Sequence, residues 1–210
     1  MRAAFLFCLL LAALAPPAAA GPWAREAGGV LIIATLEDKD AGAEGGLYAE
    51  LGLGSGWTAG AELGLPEAGI AAARGFLFLG RSFGTGPARL GLELGAGVAD
   101  QGAGREALWR PAVSFGQGFG GELPGWATLT LSREGNRDKA VATLGLRPAD
   151  GVATILQLQR EAAGGGEAAL HLAPSLVYRA TQGTEVEIGL RRGISGPAGD
   201  SLRLGTWFSF

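Results

Sequence analysis

The chain has 210 residues, 20 acidic against 17 basic side chains, 48% hydrophobic residues and a mean hydropathy of +0.24. A net charge of −3 gives no bias toward nucleic acid, and one histidine with one cysteine cannot supply a zinc set. No apolar run of helix-spanning length follows the first twenty residues, so the apolar surface is either hidden in a soluble β-core or spread over the outside of a barrel.

At the N-terminus, Arg2 precedes an apolar run from Ala3 to Leu14, then Ala15-Pro16-Pro17 and the small triplet Ala18-Ala19-Ala20. That layout predicts a secretory signal peptide over residues 1–20, cleaved after Ala20, because the run is shorter than the roughly 20 residues of a spanning helix and prolines break it. Residues 21–210 then form one domain. Cys8 sits in the leader without the small residue that precedes a lipoprotein cysteine, so the exported chain is expected to have no disulfide or thiol chemistry.

Along the exported chain, two-residue periodicity predicts about twelve strands, each near the 9–11 residues that a tilted membrane strand needs. Val30 to Leu36 and Gly75 to Phe83 are apolar on both faces, which leaves their register open. The clearest alternation runs through Leu47–Leu53, Trp57–Leu65 and Leu90–Val98, where leucine and alanine alternate with glycine, Glu50, Glu62, Arg89 and Glu93. Weaker segments follow around Pro111–Phe115, Ala127–Leu131, Ala140–Leu146, Val152–Leu158, Leu170–Tyr178 and Val186–Leu190. The 38 glycines exceed the usual ~7%, yet they alternate with apolar residues and so read as the small side of strands.

The last segment, Gly199 to Phe210, alternates Leu202, Leu204, Phe208 and Phe210 with Arg203, Gly205 and Ser209 and ends on phenylalanine. It resembles the C-terminal strand of bacterial outer-membrane β-barrels of the small porin-like class, apart from Thr206, which stands where that class has an apolar residue. The resemblance implies an antiparallel up-and-down transmembrane barrel in the outer membrane of a Gram-negative bacterium. It also implies lipid as the partner of the outer face and the barrel-assembly machinery as the reader of Phe208 and Phe210.

Twelve strands also follow from the connections. Longer polar links are expected at Glu37–Glu44, Pro66–Ala71, Ala99–Ala107, Glu134–Asp138, Glu161–Glu167 and Gly193–Asp200. They alternate with short ones at Ser55-Gly56, Gly84–Pro87, Gly120–Pro124, Pro148–Gly151 and Thr181–Gly183. Trp57, Phe119, Tyr178 and Phe210 share outward parity at the short-turn end, as an interfacial girdle would. Trp126 has the opposite parity. A soluble β-sandwich is the rival architecture, but a mostly glycine inner face would leave its core unfilled.

The same parity sends Glu50, Glu62, Glu93, Glu185 and Glu187 inward with Arg89, Lys139, Arg147, Arg191 and Arg203, and with Thr128, Thr130, Thr143, Gln157, Gln159 and His171. Five acids against five bases suit charges paired across strands, whereas a lumen drawing in acidic sugars would be strongly basic. Glu185 and Glu187 beside Arg191 suggest a weak cation-preferring constriction as an alternative.

No enzyme is expected. Glu167, His171 and Ser175 share one face, but steps of four residues put them roughly 13 Å apart at about 3.3 Å per residue, too far for a triad. His171 therefore reads as a hydrogen-bonded lumen residue. Glu37, Asp38 and Asp40 read as a solvated acidic loop rather than a calcium site, and no cofactor is implied. Since side chains just fill an eight-stranded barrel and sixteen or more strands leave a channel, twelve strands with glycine inside predict a narrow, weakly selective path for small polar solutes. The alternative is a closed structural barrel whose ion pairs block the lumen.

Overall fold

The computed structural model describes residues 21–39, 42–66, 73–100 and 104–210; the expected leader, with Cys8, lies outside them, as does Asp40. Twelve antiparallel strands form one closed barrel. They are β1 Val30–Lys39, β2 Gly42–Gly54, β3 Trp57–Pro66, β4 Arg74–Phe83, β5 Ala88–Asp100, β6 Arg105–Phe119, β7 Gly125–Glu134, β8 Arg137–Ala149, β9 Val152–Ala163, β10 Ala169–Thr181, β11 Thr184–Ser195 and β12 Ser201–Ser209. Each strand pairs with its sequence neighbours, and β12 closes on β1 from Leu31↔Ser209 to Lys39↔Ser201. Reciprocal backbone bonds between Val30 and Phe210, at 3.1 and 3.0 Å, fasten the last residue into this seam. Closure leaves no unpaired edge, which a lipid environment requires of any sheet.

Local sequence explains the tight ends. The β2–β3 turn has positive φ at both Ser55 (51°) and Gly56 (79°), the two-residue geometry whose twist matches that of the paired strands. The registers left open in β1 and β4 are settled by packing. Leu31, Ile33, Thr35 and Glu37 point inward on β1, while Phe76 and Phe78 are buried inside and Leu77 and Leu79 exposed outside on β4.

Pro66–Ala71 lies almost wholly, and Ala99–Ala107 partly, outside the described residues; among the other links the expected alternation of long and short is not kept. Glu37–Glu44 is mostly ladder, with Glu37 opposite Glu44 and Lys39 opposite Gly42. Glu134–Asp138 shrinks to Gly135 and Asn136, whereas Gly120–Pro124 stays outside the strands. The physical reason is that backbone groups go on pairing where side chains turn polar, so strands extend beyond their apolar stretch.

Every strand places large apolar side chains on the outer surface, from Leu36 on β1 through Leu129 on β7 to Leu204 on β12. A soluble monomer rarely exposes a contiguous apolar patch above a few hundred Å², so an apolar band around the whole circumference is the surface of a transmembrane barrel. Trp57, Phe119, Tyr178 and Phe210 are all exposed at the short-turn end, joined by Phe83. Arg81 lies between two of them, its guanidinium 5.0 Å from the Trp57 ring centre and 5.1 Å from that of Phe83.

The inner glycines make room for particular side chains. A Cβ at Gly145 on β8 would fall on the Trp126 indole of β7, its register partner. Gly145→Val should therefore destabilise the barrel by about 1–3 kcal/mol through overpacking. Loss of the compact unboiled band on gels at a lower temperature than wild type would register it, and an unchanged melting profile would contradict it.

Candidate functional site

The interior divides into two levels along the barrel axis. Toward the short-turn end, Leu31 (1% exposed), Trp126, Ile155, Val177 and Trp207 form one buried apolar cluster, with Trp23, Ile33, Tyr48 and Ala153 packed against it. These residues come from β1, β7, β9, β10 and β12, so the cluster runs along one half of the barrel wall.

Residues 21–29, upstream of β1, fill the space beside this cluster. Ser82 of β4 donates a hydrogen bond to the Pro22 carbonyl, Arg25 pairs with Glu50 of β2, and Gly28 N–H donates to Gly52 O at 2.8 Å. Glycines on the inner wall admit the segment. A Cβ at Gly52 would collide with the carbonyls of Arg25 and Glu26, one at Gly116 with Pro22 and the Trp23 ring, and one at Gly91 with Ser114 and Pro22. Gly21 reaches Thr128 on β7. Below the cap a vestibule of about 360 Å³ remains, lined by Trp126, Arg147, Ile155, Val177, Arg179 and Glu185 among others. The Arg147 guanidinium stacks 5.2 Å from the Trp126 ring centre.

The level nearer the longer links is polar and carries most of the inward residues expected from parity. On one wall Arg110 of β6 reaches Glu62 of β3 at 2.5 Å and Glu93 of β5 at 3.3 Å, with its guanidinium 4.8 Å from the Phe76 ring centre. Arg74 adds a second cation to Glu62 at 3.6 Å, and Tyr48 donates to Glu50 at 2.6 Å.

On the other wall Gln159 donates to Gln157 at 2.8 Å and Gln157 to Thr143 at 3.3 Å. Arg191 donates to Gln159 at 3.0 Å and approaches Glu161 at 3.5 Å, where Lys139 also binds at 3.3 Å. Arg203 lies 3.7 Å from both Glu37 and Glu187, and Glu187 accepts the Trp207 indole N–H at 3.0 Å.

Glu62, Glu93, Gln157, Gln159, Glu187, Arg191 and Arg203 thus stand in these two networks, whereas Glu50 lies level with Leu31 and pairs with Arg25. Glu185 sits lower, 3.8 Å from Arg179, away from the Glu187–Arg203 pair. Arg89 curls back onto the turn carbonyls of Gly86 and Ala88. His171 is 4% exposed and its Nδ1 has no partner, so at that nitrogen the expected hydrogen bond is not made. Its register partners are Gly193 on β11 and Gln159 on β9, whose side chain is taken up by Gln157 and Arg191. Phe208 and Phe210 lie at the end of the closing seam.

Sequence reasoning missed three parts of this site. Arg110 lay just upstream of the segment starting at Pro111, and extending that parity by one residue would have found it. The inward Phe76 and Phe78 were hidden by a strand apolar on both faces. Residues 21–29 carry no periodicity, so nothing in their pattern tells a lumen segment from a linker.

No protein-family model matches this sequence, and no curated protein does. Among solved structures the fold is similar to that of the KdgM porin, at 9% identity and TM-score 0.70, covering 86% of this chain and 99% of that one. It is also similar to the NanC porin, at 11% identity and TM-score 0.67, covering 86% and 100%. A third is the COG4313 outer membrane channel from Pseudomonas putida F1, at 11% identity and TM-score 0.62, covering 94% and 100%.

Proposed function

We propose that this chain is an outer-membrane barrel forming a narrow, weakly selective path for small polar solutes. The observation that carries the reading is the polar level of the lumen: a closed twelve-stranded wall lined by Glu62, Glu93 and Arg110 on one side and by Gln157, Gln159, Glu161 and Arg191 on the other. Paired carboxylates and guanidiniums keep such a lumen hydrated without a strong field of either sign, so ions of both charges and neutral solutes pass with little discrimination. The fold it shares with porins and channels supports the same reading.

The role inferred is passive. Insertion and folding by the barrel-assembly machinery through Phe208 and Phe210, after removal of residues 1–20, belong to the same proposal.

The apolar cluster favours a second reading, a closed barrel serving a structural or docking role, because Trp23 of the segment upstream of β1 packs against it inside the lumen. Planar bilayers separate the two. The pore reading expects small, steady conductance with weak ion selectivity from the full exported chain. Silence from protein that is inserted and heat-modifiable, persisting after residues 21–28 are removed, would leave the structural reading.

A further inference from the structure

Most arginines on the outer surface are engaged. Arg81 stacks between Trp57 and Phe83, Arg133 pairs with Asp138 at 3.6 Å, and Arg105 also has a partner. Arg160 on β9 and Arg192 on β11 are different. Both are exposed, both continue the outward rows of Leu156–Leu158 and Ile188–Leu190, and neither has a hydrogen bond or ion pair among the described residues.

They flank one intervening strand, since Arg160 faces Leu170 and Arg192 faces Leu172 on β10. Two strand spacings of about 4.8 Å separate β9 from β11, so two arginine side chains can converge on one group between them. Ile194 continues the outward row beyond Arg192, so that guanidinium is set into the apolar wall rather than above it. Asp200, a nearby acid, is already taken up by the Gly193 N–H at 2.9 Å.

A guanidinium left unpaired against acyl chains is unfavourable at the bilayer centre and tolerated near the interface. There, phosphate is the anion that the membrane itself supplies. We propose that Arg160 and Arg192 form a clamp for the phosphate of an anionic lipid in the leaflet at the longer-link end, with Leu158, Leu172, Leu190 and Ile194 packing its acyl chains. Each guanidinium can present two parallel N–H donors to phosphate oxygens, a geometry that lysine lacks. The inference rests on the membrane reading above.

The exported chain, inserted in phosphatidylcholine vesicles with and without diphosphoryl lipid A, tests it through the temperature at which the unboiled folded band disappears. Lipid A should raise that temperature by roughly 5 °C for wild type. The shift should vanish in R160Q/R192Q, shrink in R160K/R192K and persist in R81Q, which removes an arginine at the other rim. Soluble pyrophosphate should produce no shift.

An equal shift in R160Q/R192Q, or one produced equally by pyrophosphate, would overturn the clamp. Should the double variant fold poorly, native mass spectrometry of R160Q and R192Q singly reads retained lipid A directly, and undiminished retention in both overturns it. Failure to insert into either vesicle type would instead sink the membrane reading.

Discussion

Removing residues 21–28 should raise conductance in planar bilayers several-fold over the full exported chain. The segment occupies volume that no barrel side chain can reclaim, because the wall facing it is glycine at Gly52, Gly91 and Gly116. Its anchors are few: the Arg25–Glu50 pair, the Ser82 bond to the Pro22 carbonyl and two backbone bonds linking Gly28 and Gly29 to Gly52. The pair is well shielded, with side-chain exposures of 13% and 10%. Breaking one partner of such a pair costs about 3–5 kcal/mol.

Arg25→Glu should therefore loosen the segment and give intermittent openings, and the exchange R25E/E50R should restore the quiet state. Single-channel records of the four proteins check this, and identical traces from the full and shortened chains would show that the segment does not limit flow. The barrel should survive the deletion, since the segment lies outside the ladder that closes through Leu31↔Ser209 and its neighbours.

Arg110→Gln should turn a balanced lumen into a cation-preferring one. Glu62 and Glu93 share the Arg110 guanidinium, and without it two carboxylates face the same space with Arg74 still paired to Glu62. The side chain is also held over Phe76 and Phe78. Its loss should cost about 2–5 kcal/mol in folding as well as altering the field. Arg110→Lys keeps the charge without the fork and should shift selectivity far less. The measurement is the reversal potential under a salt gradient, made in chains lacking residues 21–28 so that current is ample. A reversal potential unchanged by R110Q would remove this wall from the conduction path.

Much of the architecture was legible because a membrane strand must alternate. Trp126 shows how far parity reaches: its position fitted either an inward side chain or a shifted register, and only the structure places it inward, in one cluster with Leu31 and Val177. Arg110 shows the opposite error, an inward residue lost because its segment was started one position late. Strand ends were legible least well, since Glu37, Glu44 and Asp138 look like loop residues while their backbones remain in the ladder.

The sequence by itself determined about twelve strands, the lipid-facing row of all but β1 and β4 and the end at which aromatic residues gather, because alternation and turn residues are local and survive without knowing what faces what. Only the tertiary structure decided how the interior is filled. Closing the sheet puts Leu31 of β1 and Trp126 of β7 in one apolar cluster, and residues 21–29 enter along a glycine-lined wall. Contacts across a lumen join residues far apart in the chain, and no periodicity within one strand encodes them.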